Sequence, residues 1–254
     1  MKKKYVVGIL VLLLLSFGFA PAFSLILDKP PVFKGGKITV KKMKKNEKTT
    51  IAAVKTSEAV NPLYPAKYTQ EYISQIKDEY KCSCKDEVFF VALDMLKGTS
   101  GEFSRNAVLG NNLTTKPIKI EFKDLGQINK NYASYDALGW KRGKRLYIYI
   151  SNKHNNSPAI ALAALLSHEA LHQDEYNSLA EETYAWTMEA AVWCELVQLY
   201  PNYNPGIDSL VQRENTLKTI FERGNYTDKY IKKTVYSNTG YQNLPQSSPG
   251  FEAL

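Results

Sequence analysis

Two of this chain's three histidines stand four residues apart, in His168-Glu169-Ala170-Leu171-His172. On a helix, positions i and i+4 share a face, so both imidazoles would point at one spot, as two ligands of a single metal ion must. Glu169 follows the first histidine and would sit beside that ion, where a carboxylate can act as general base toward a bound water. The chemistry such a set serves is zinc-dependent hydrolysis. A third ligand is needed, and an acidic, aromatic-rich helix pattern beginning at Ser178 is the nearest source.

The elements around the motif must position it. Ser157-Pro158 reads as a helix start, an N-cap residue followed by proline in the first turn. From Ala159 to Leu166 every residue is alanine, leucine or isoleucine. A helix apolar all round belongs in a core, so His168, Glu169 and His172 at its end are either costly to bury or employed. The next helix opens with Ser178-Leu179-Ala180-Glu181, a capping-box pattern, and stops before Pro201. A link this short makes the two helices close neighbours.

Upstream, apolar spacing predicts a helix over Thr69–Tyr80 with Thr69 as N-cap. A second follows from Asp86 to Gly98, and 98–112 reads as loop. Alternation then predicts strands over Pro117–Leu125, Ala133–Trp140 and Arg145–Ile150, the last two joined as a hairpin through Lys141-Arg142-Gly143-Lys144. In the last strand Leu146, Ile148 and Ile150 share one face, and Tyr147 and Tyr149 the other. Ile207–Arg223 is a further helix, and 236–254, rich in Asn, Gln, Ser and Pro, reads as a flexible C-terminal tail. The expected fold is α+β, a small, mostly antiparallel sheet packed on the buried motif helix, with further helices, all within 69–235.

The N-terminus is of another kind. Lys2-Lys3-Lys4, an apolar run and Ala20-Pro21-Ala22 read as an export signal over 1–22, with a retained membrane anchor over Tyr5–Leu27 as the alternative. Both place the body outside the cytoplasm, secreted, periplasmic or at the cell surface. Residues 23–68 form a basic, proline-containing linker, read as a solvated tether, with contact to an anionic membrane or cell surface as its sharper alternative. Net charge is +8, and removal of Lys2, Lys3 and Lys4 leaves +5. Much of that excess lies in the linker and no nucleic-acid motif accompanies it, so no nucleic-acid partner is expected. In an oxidising compartment, Cys194 is expected to form a disulfide with Cys82 or Cys84, leaving one thiol over.

From Leu146 to about Trp193 the chain resembles the zincin metallopeptidases, in particular the gluzincin-like branch with glutamate as third ligand. The resemblance implies Zn2+ held by His168 and His172, Glu169 as catalytic base, and a peptide or protein substrate paired along the strand before the motif helix. Spacing excludes some branches. The metzincin extension would need glycine and histidine where Glu175 and Ser178 stand, and the long-spaced third glutamate would fall near Ala191 and Val192. A short-spaced variant fits, with its glutamate in Glu182-Thr183-Tyr184-Ala185. Glu182 is therefore ranked first as third ligand and Glu189 second. Glu181 comes last, because capping with Ser178 would turn its carboxylate back. Asp174 and Glu175 read as loop charges or as groups orienting a histidine, and His154 as a loop residue. An oxyanion-stabilising group is left open among Tyr184, Tyr226 and Tyr230.

Overall fold

The computed structural model describes residues 68–111, 116–143, 145–172, 176–201 and 207–251. The chain enters through helix α1 (Gln70–Tyr80), where the Thr69 hydroxyl accepts from the Tyr72 N–H as an N-cap should. Helix α2 (Glu87–Met95) is buried from Phe89 onward. Tyr72 and Tyr80 both donate to Asp94, fastening α1 to α2. The expected loop that follows contains helix α3 (Glu102–Leu109). Its inward residues include Ser104 and Arg105, so no apolar stripe announces it. Ser104 donates to the Ser167 carbonyl at 2.7 Å and so braces the motif helix near its end.

Three strands form the sheet: β1 (Lys119–Lys123), β2 (Ala137–Arg142) and β3 (Arg145–Ser151). The β2–β3 hairpin stands where expected, but β2 begins at Ala137 and not Ala133, and Lys141 and Arg142, expected in the turn, pair with β3. Gly143, at φ +63°, supplies the turn's left-handed residue. The order is β1-β3-β2, and β1 runs parallel to β3, so the sheet is mixed where a mostly antiparallel one was expected. Between β1 and β2 the chain makes helix α4 (Leu125–Ile128) and a short 3-10 turn at Lys130–Tyr132. Ile148 and Ile150 face the main core, while Tyr149 packs with Leu125, Tyr135 and Leu138 on the opposite face.

The motif helix is α5 (Ala159–Glu169), buried throughout and packed against α2, α3, β2, α6 (Leu179–Leu199) and α7 (Ser209–Arg223). Ser157 lies one residue further out than expected, its hydroxyl donating to Asp208, the N-cap of α7. Helix α6 is buried on two sides. Met188, Val192, Trp193 and Leu196 enter the main core. Leu179, Trp186, Ala190, Ala191 and Cys194 pack instead with Leu217, Phe221, Tyr241 and helix α8 (Lys229–Ser237). A helix sandwiched this way has no solvent stripe, so its inward carboxylates must be satisfied by the protein.

Two further expectations are corrected. All three cysteines are free. Cys194 points into the α6–α7–α8 cluster, Cys84 belongs to the main core and Cys82 is exposed, so no pair is brought together. The C-terminal segment is not a loose tail: Tyr241 is fully buried, and Leu179 and Ala180 donate backbone hydrogen bonds to Pro245 and Gln246. The export segment and most of the linker lie outside the described residues. No described helix is long and apolar enough to cross a membrane.

Candidate metal centre

The motif helix ends earlier than its spacing suggests. α5 stops at Glu169, and the ladder tightens to an i→i+3 bond from Leu171 N–H to the His168 carbonyl. His172 is therefore placed by a turn, yet its ring still meets that of His168, with centroids 4.8 Å apart. The two Nε2 atoms are 3.0 Å apart. Glu182, on the first turns of α6, brings Oε1 to 3.8 Å from His172 Nε2. One ligand atom from each of His168, His172 and Glu182 lies within 4.8 Å of the others, and all three residues are buried. Two imidazoles and a carboxylate are a donor set that binds a divalent transition metal, so this cluster could hold one.

A carboxylate lies behind each histidine, hydrogen-bonded at His172 and 3.6 Å away at His168. His172 Nδ1 donates to Glu181 Oε1 at 3.0 Å, and Glu181 Oε2 accepts from Ser248 at 2.8 Å. Only half of the expected capping box therefore forms: Ser178 Oγ accepts from Glu181 N–H, but the Glu181 carboxylate turns to the histidine. Glu189 does not join the ligand atoms. Its Oε2 lies 3.6 Å from His168 Nδ1, while the same carboxylate accepts from Arg213. Carboxylates behind metal-binding histidines fix tautomer and ring orientation, leaving Nε2 for the ion.

Glu169 stands apart from all these pairings. It is 1% exposed, and neither carboxylate oxygen has a hydrogen-bond partner in the described structure. Burial, with the charges of Glu182 and Glu189 adding to it against the pull of His172, raises its pKa to about 8. His172 shows the reverse balance: burial lowers its pKa, but the Glu181 hydrogen bond and the charges of Glu182, Glu181 and Glu169 outweigh that and leave it at about 9. Burial also raises Glu182, opposed by His172 and by hydrogen bonds from Asn177 and Tyr241. Four carboxylates packed around two buried histidines are an environment that favours a cation between them.

Behind His168 lies a second buried charge cluster. Arg213 contacts the carboxylates of Glu189 and Glu214, and its Nε is 3.3 Å from Asp136 Oδ2. Asp136 in turn bonds His154 Nε2 at 2.6 Å. Burial would raise the Asp136 pKa, but that bond and the Arg213 charge hold it well below the carboxylate range. His154 is thus a buried network residue and not a loop residue.

Sequence reasoning missed Tyr241, Ser248 and Arg213. Tyr241 is the tyrosine brought to the site, its hydroxyl bearing on Glu182 and accepting from Trp186 Nε1 at 3.3 Å. Tyr226 is 40% exposed and Tyr230 stacks under Arg223, whereas Tyr184 packs on Phe251. No local pattern marks these contacts, since all three missed residues follow the motif by more than forty positions. Asp174 and Glu175 lie outside the described residues. The strand expected to hold substrate, β3, is the central one, with its backbone paired on both sides. The strand beside the site is β2, an edge strand, where a Cβ on Gly139 would meet His172 Cβ at 3.5 Å and Glu169 Oε2 at 3.8 Å. Compared with protein-family models, curated proteins and solved structures, the chain finds no match.

Proposed function

We propose that this chain is an exported zinc-dependent metallopeptidase of the zincin type, acting on peptide or protein substrates. The observation that carries the reading is Glu169. A site built only to hold a metal needs its ligands and their supports, yet here a further buried carboxylate lies 3.7 Å from His168 Nε2 and makes no hydrogen bond. His168, His172 and Glu182 would hold the ion. Zinc bound there would supply Lewis acidity and lower the pKa of a water in its open position.

The remaining roles belong to the chain. Glu181 and Glu189 orient the two imidazoles from behind. Glu169 takes the proton of the attacking water and returns it to the leaving amine. Its raised pKa suits the second half of that cycle, and a nearby dication would draw it down for the first. An extended peptide would add to the edge of β2 not paired with β3, where Gly139 lies beside His172 and Glu169. The apolar, lysine-preceded N-terminus supports export.

A second reading, a non-catalytic surface or secreted binding protein with a structural metal on the same scaffold, is favoured by the closure of the site, since His168 and Glu182 are 0% exposed. Metal analysis of wild-type protein and Glu169→Gln separates the two. The peptidase reading expects one zinc per chain in both, with peptide hydrolysis reduced by at least about 1000-fold in the variant. Loss of zinc from Glu169→Gln refutes it, as does a zinc-loaded chain that hydrolyses no peptide library either as wild type or as Phe251→Ala, which removes the ring packed on Tyr184.

A further inference from the structure

The C-terminal segment supplies no ligand atom to the centre above, yet it packs on the start of α6, the helix that carries Glu181 and Glu182. The first N–H groups of a helix lack intrahelical partners, and in α6 two of them are capped by this segment. Leu179 donates to the Pro245 carbonyl at 2.9 Å and Ala180 to that of Gln246 at 3.1 Å. Ser248 Oγ then donates to Glu181 Oε2 at 2.8 Å and lies 3.0 Å from Ser178 Oγ. Gly250, at φ +86°, turns the chain so that Ser248 and Phe251 exchange backbone hydrogen bonds. The Phe251 ring meets Tyr184 edge-on at 5.2 Å, in a patch completed by Leu171 and Ala185. Leu171 belongs to the histidine motif itself.

The centre beneath is shut, with Glu169 1% and His172 3% exposed. For a peptide to enter, some element must move. Helices α5 and α6 are core, and β2 is paired with β3 along all six of its residues. The segment 244–251 is held differently: Leu244 anchors its start on the α6–α7–α8 cluster, and beyond it the hold is two backbone bonds to α6, the Ser248 hydroxyl and one ring, with Pro245, Gln246, Ser247 and Pro249 exposed. Elements with few buried contacts and exposed backbone open at the lowest free energy.

We propose that residues 244–251 are an autoinhibitory strap over the metal centre, latched by Ser248 on Glu181 and by Phe251 on the Leu171–Tyr184–Ala185 patch. The proposal rests on the metal-centre reading and adds what gates it. The strap lies as an extended peptide whose carbonyls accept from α6, so its release presents the Leu179 and Ala180 N–H groups to the carbonyls of an incoming peptide. Release also takes Ser248 from Glu181, so gating and the seating of His172 are joined through one carboxylate.

Two measurements on the full-length protein test this. In metal-free protein, the amides of Leu179 and Ala180 exchange hydrogen at least about tenfold faster than those of α5, and Phe251→Ala speeds them about tenfold more. In zinc-loaded protein, transfer of zinc to a chromogenic chelator quickens about tenfold in Ser248→Ala and in Phe251→Ala. The same rate stays within about twofold of wild type in Gln246→Ala, whose side chain is exposed, and Ser248→Thr restores it. Should Ser248→Ala fail to fold, Phe251→Ala, which touches no hydrogen bond of the centre, decides. Equal protection of the α5 and α6 start amides, or unchanged transfer rates in zinc-loaded variants, overturns the strap and leaves the metal centre standing. A chain that takes up no zinc overturns the metal-centre reading, and the gate with it.

Discussion

Replacing Arg213 by leucine tests whether one guanidinium holds together the buried charges behind His168. Its Nη1 contacts Glu189 and Glu214, Nη2 bonds Glu189 Oε2 at 3.2 Å, and Nε lies 3.3 Å from Asp136. At an effective dielectric near 20, each unit pair at about 4 Å attracts by about 4 kcal/mol, so three anions would give a gross figure of about 12. Two corrections reduce it. Burial raises the pKa of both Glu189 and Glu214, which lessens the charge the two together present to Arg213. Desolvation then removes several kcal/mol for each ion that remains. Loss of one partner from such a set costs about 3–5 kcal/mol, because the survivors stay buried without compensation. Leucine refills the aliphatic part of the space, so little of this is cavity.

The pH dependence has a definite sign. Without Arg213, a buried carboxylate in the folded variant binds a proton that its unfolded counterpart, with a pKa of about 4.3, has already lost. The folded variant therefore holds more protons than the unfolded chain above that value, and its stability falls as pH rises toward the raised folded pKa. The slope is at most about 1.4 kcal/mol per pH unit for each proton retained. Urea unfolding of wild type and Arg213→Leu at pH 5.5 and pH 8 measures it, and the deficit should be larger at pH 8. A deficit below about 1 kcal/mol at pH 8, or one equal at both pH values, refutes the assignment of Arg213 as the cluster's counter-ion.

Glu181→Gln keeps the shape of the side chain but removes the charge that His172 Nδ1 donates to, and zinc affinity should fall about 10- to 100-fold in competition with a chelator. An unchanged dissociation constant would show that Glu181 does not support the ligand. The cysteines allow a simpler check. Cys84 and Cys194 are buried, which raises both thiols to about 12, while Cys82 is exposed, so folded protein should react with a thiol reagent at Cys82 alone. Unfolded without reductant, the chain should titrate three thiols, and a count of one would restore the disulfide.

What the sequence revealed follows from the range of the interactions concerned. The α5 core helix, the Ser178 cap, the hairpin and the stop before Pro201 are all set within a few residues, and each falls within a few positions of where its local chemistry puts it. The histidine pair and Glu182 were legible for the same reason: a motif and a short link confine them to neighbouring turns. The pairing of β1 with β3 was not, because alternation marks a strand without choosing its neighbour or direction. Helix α3 was hidden by polar residues on its inward face, and the C-terminal segment by a composition that usually signals disorder.

The same distinction separates the ligands from their supports. His168, His172 and Glu182 span fifteen residues of sequence, but the groups that hold them come from Arg213, Tyr241 and Ser248, through Glu189, Glu182 and Glu181 respectively. Every support reaches the centre by way of a glutamate on α6. That arrangement explains why three inward carboxylates persist on a helix buried on both sides, where each unpaired one would cost several kcal/mol. It also makes α6 the element through which a change at the C-terminus would be felt at the histidines. Metal bound by such a cluster, local in its proposed ligands but distant in their supports, would be held more tightly with α7 and the C-terminal segment docked, so metal binding and completion of the fold should stabilise each other.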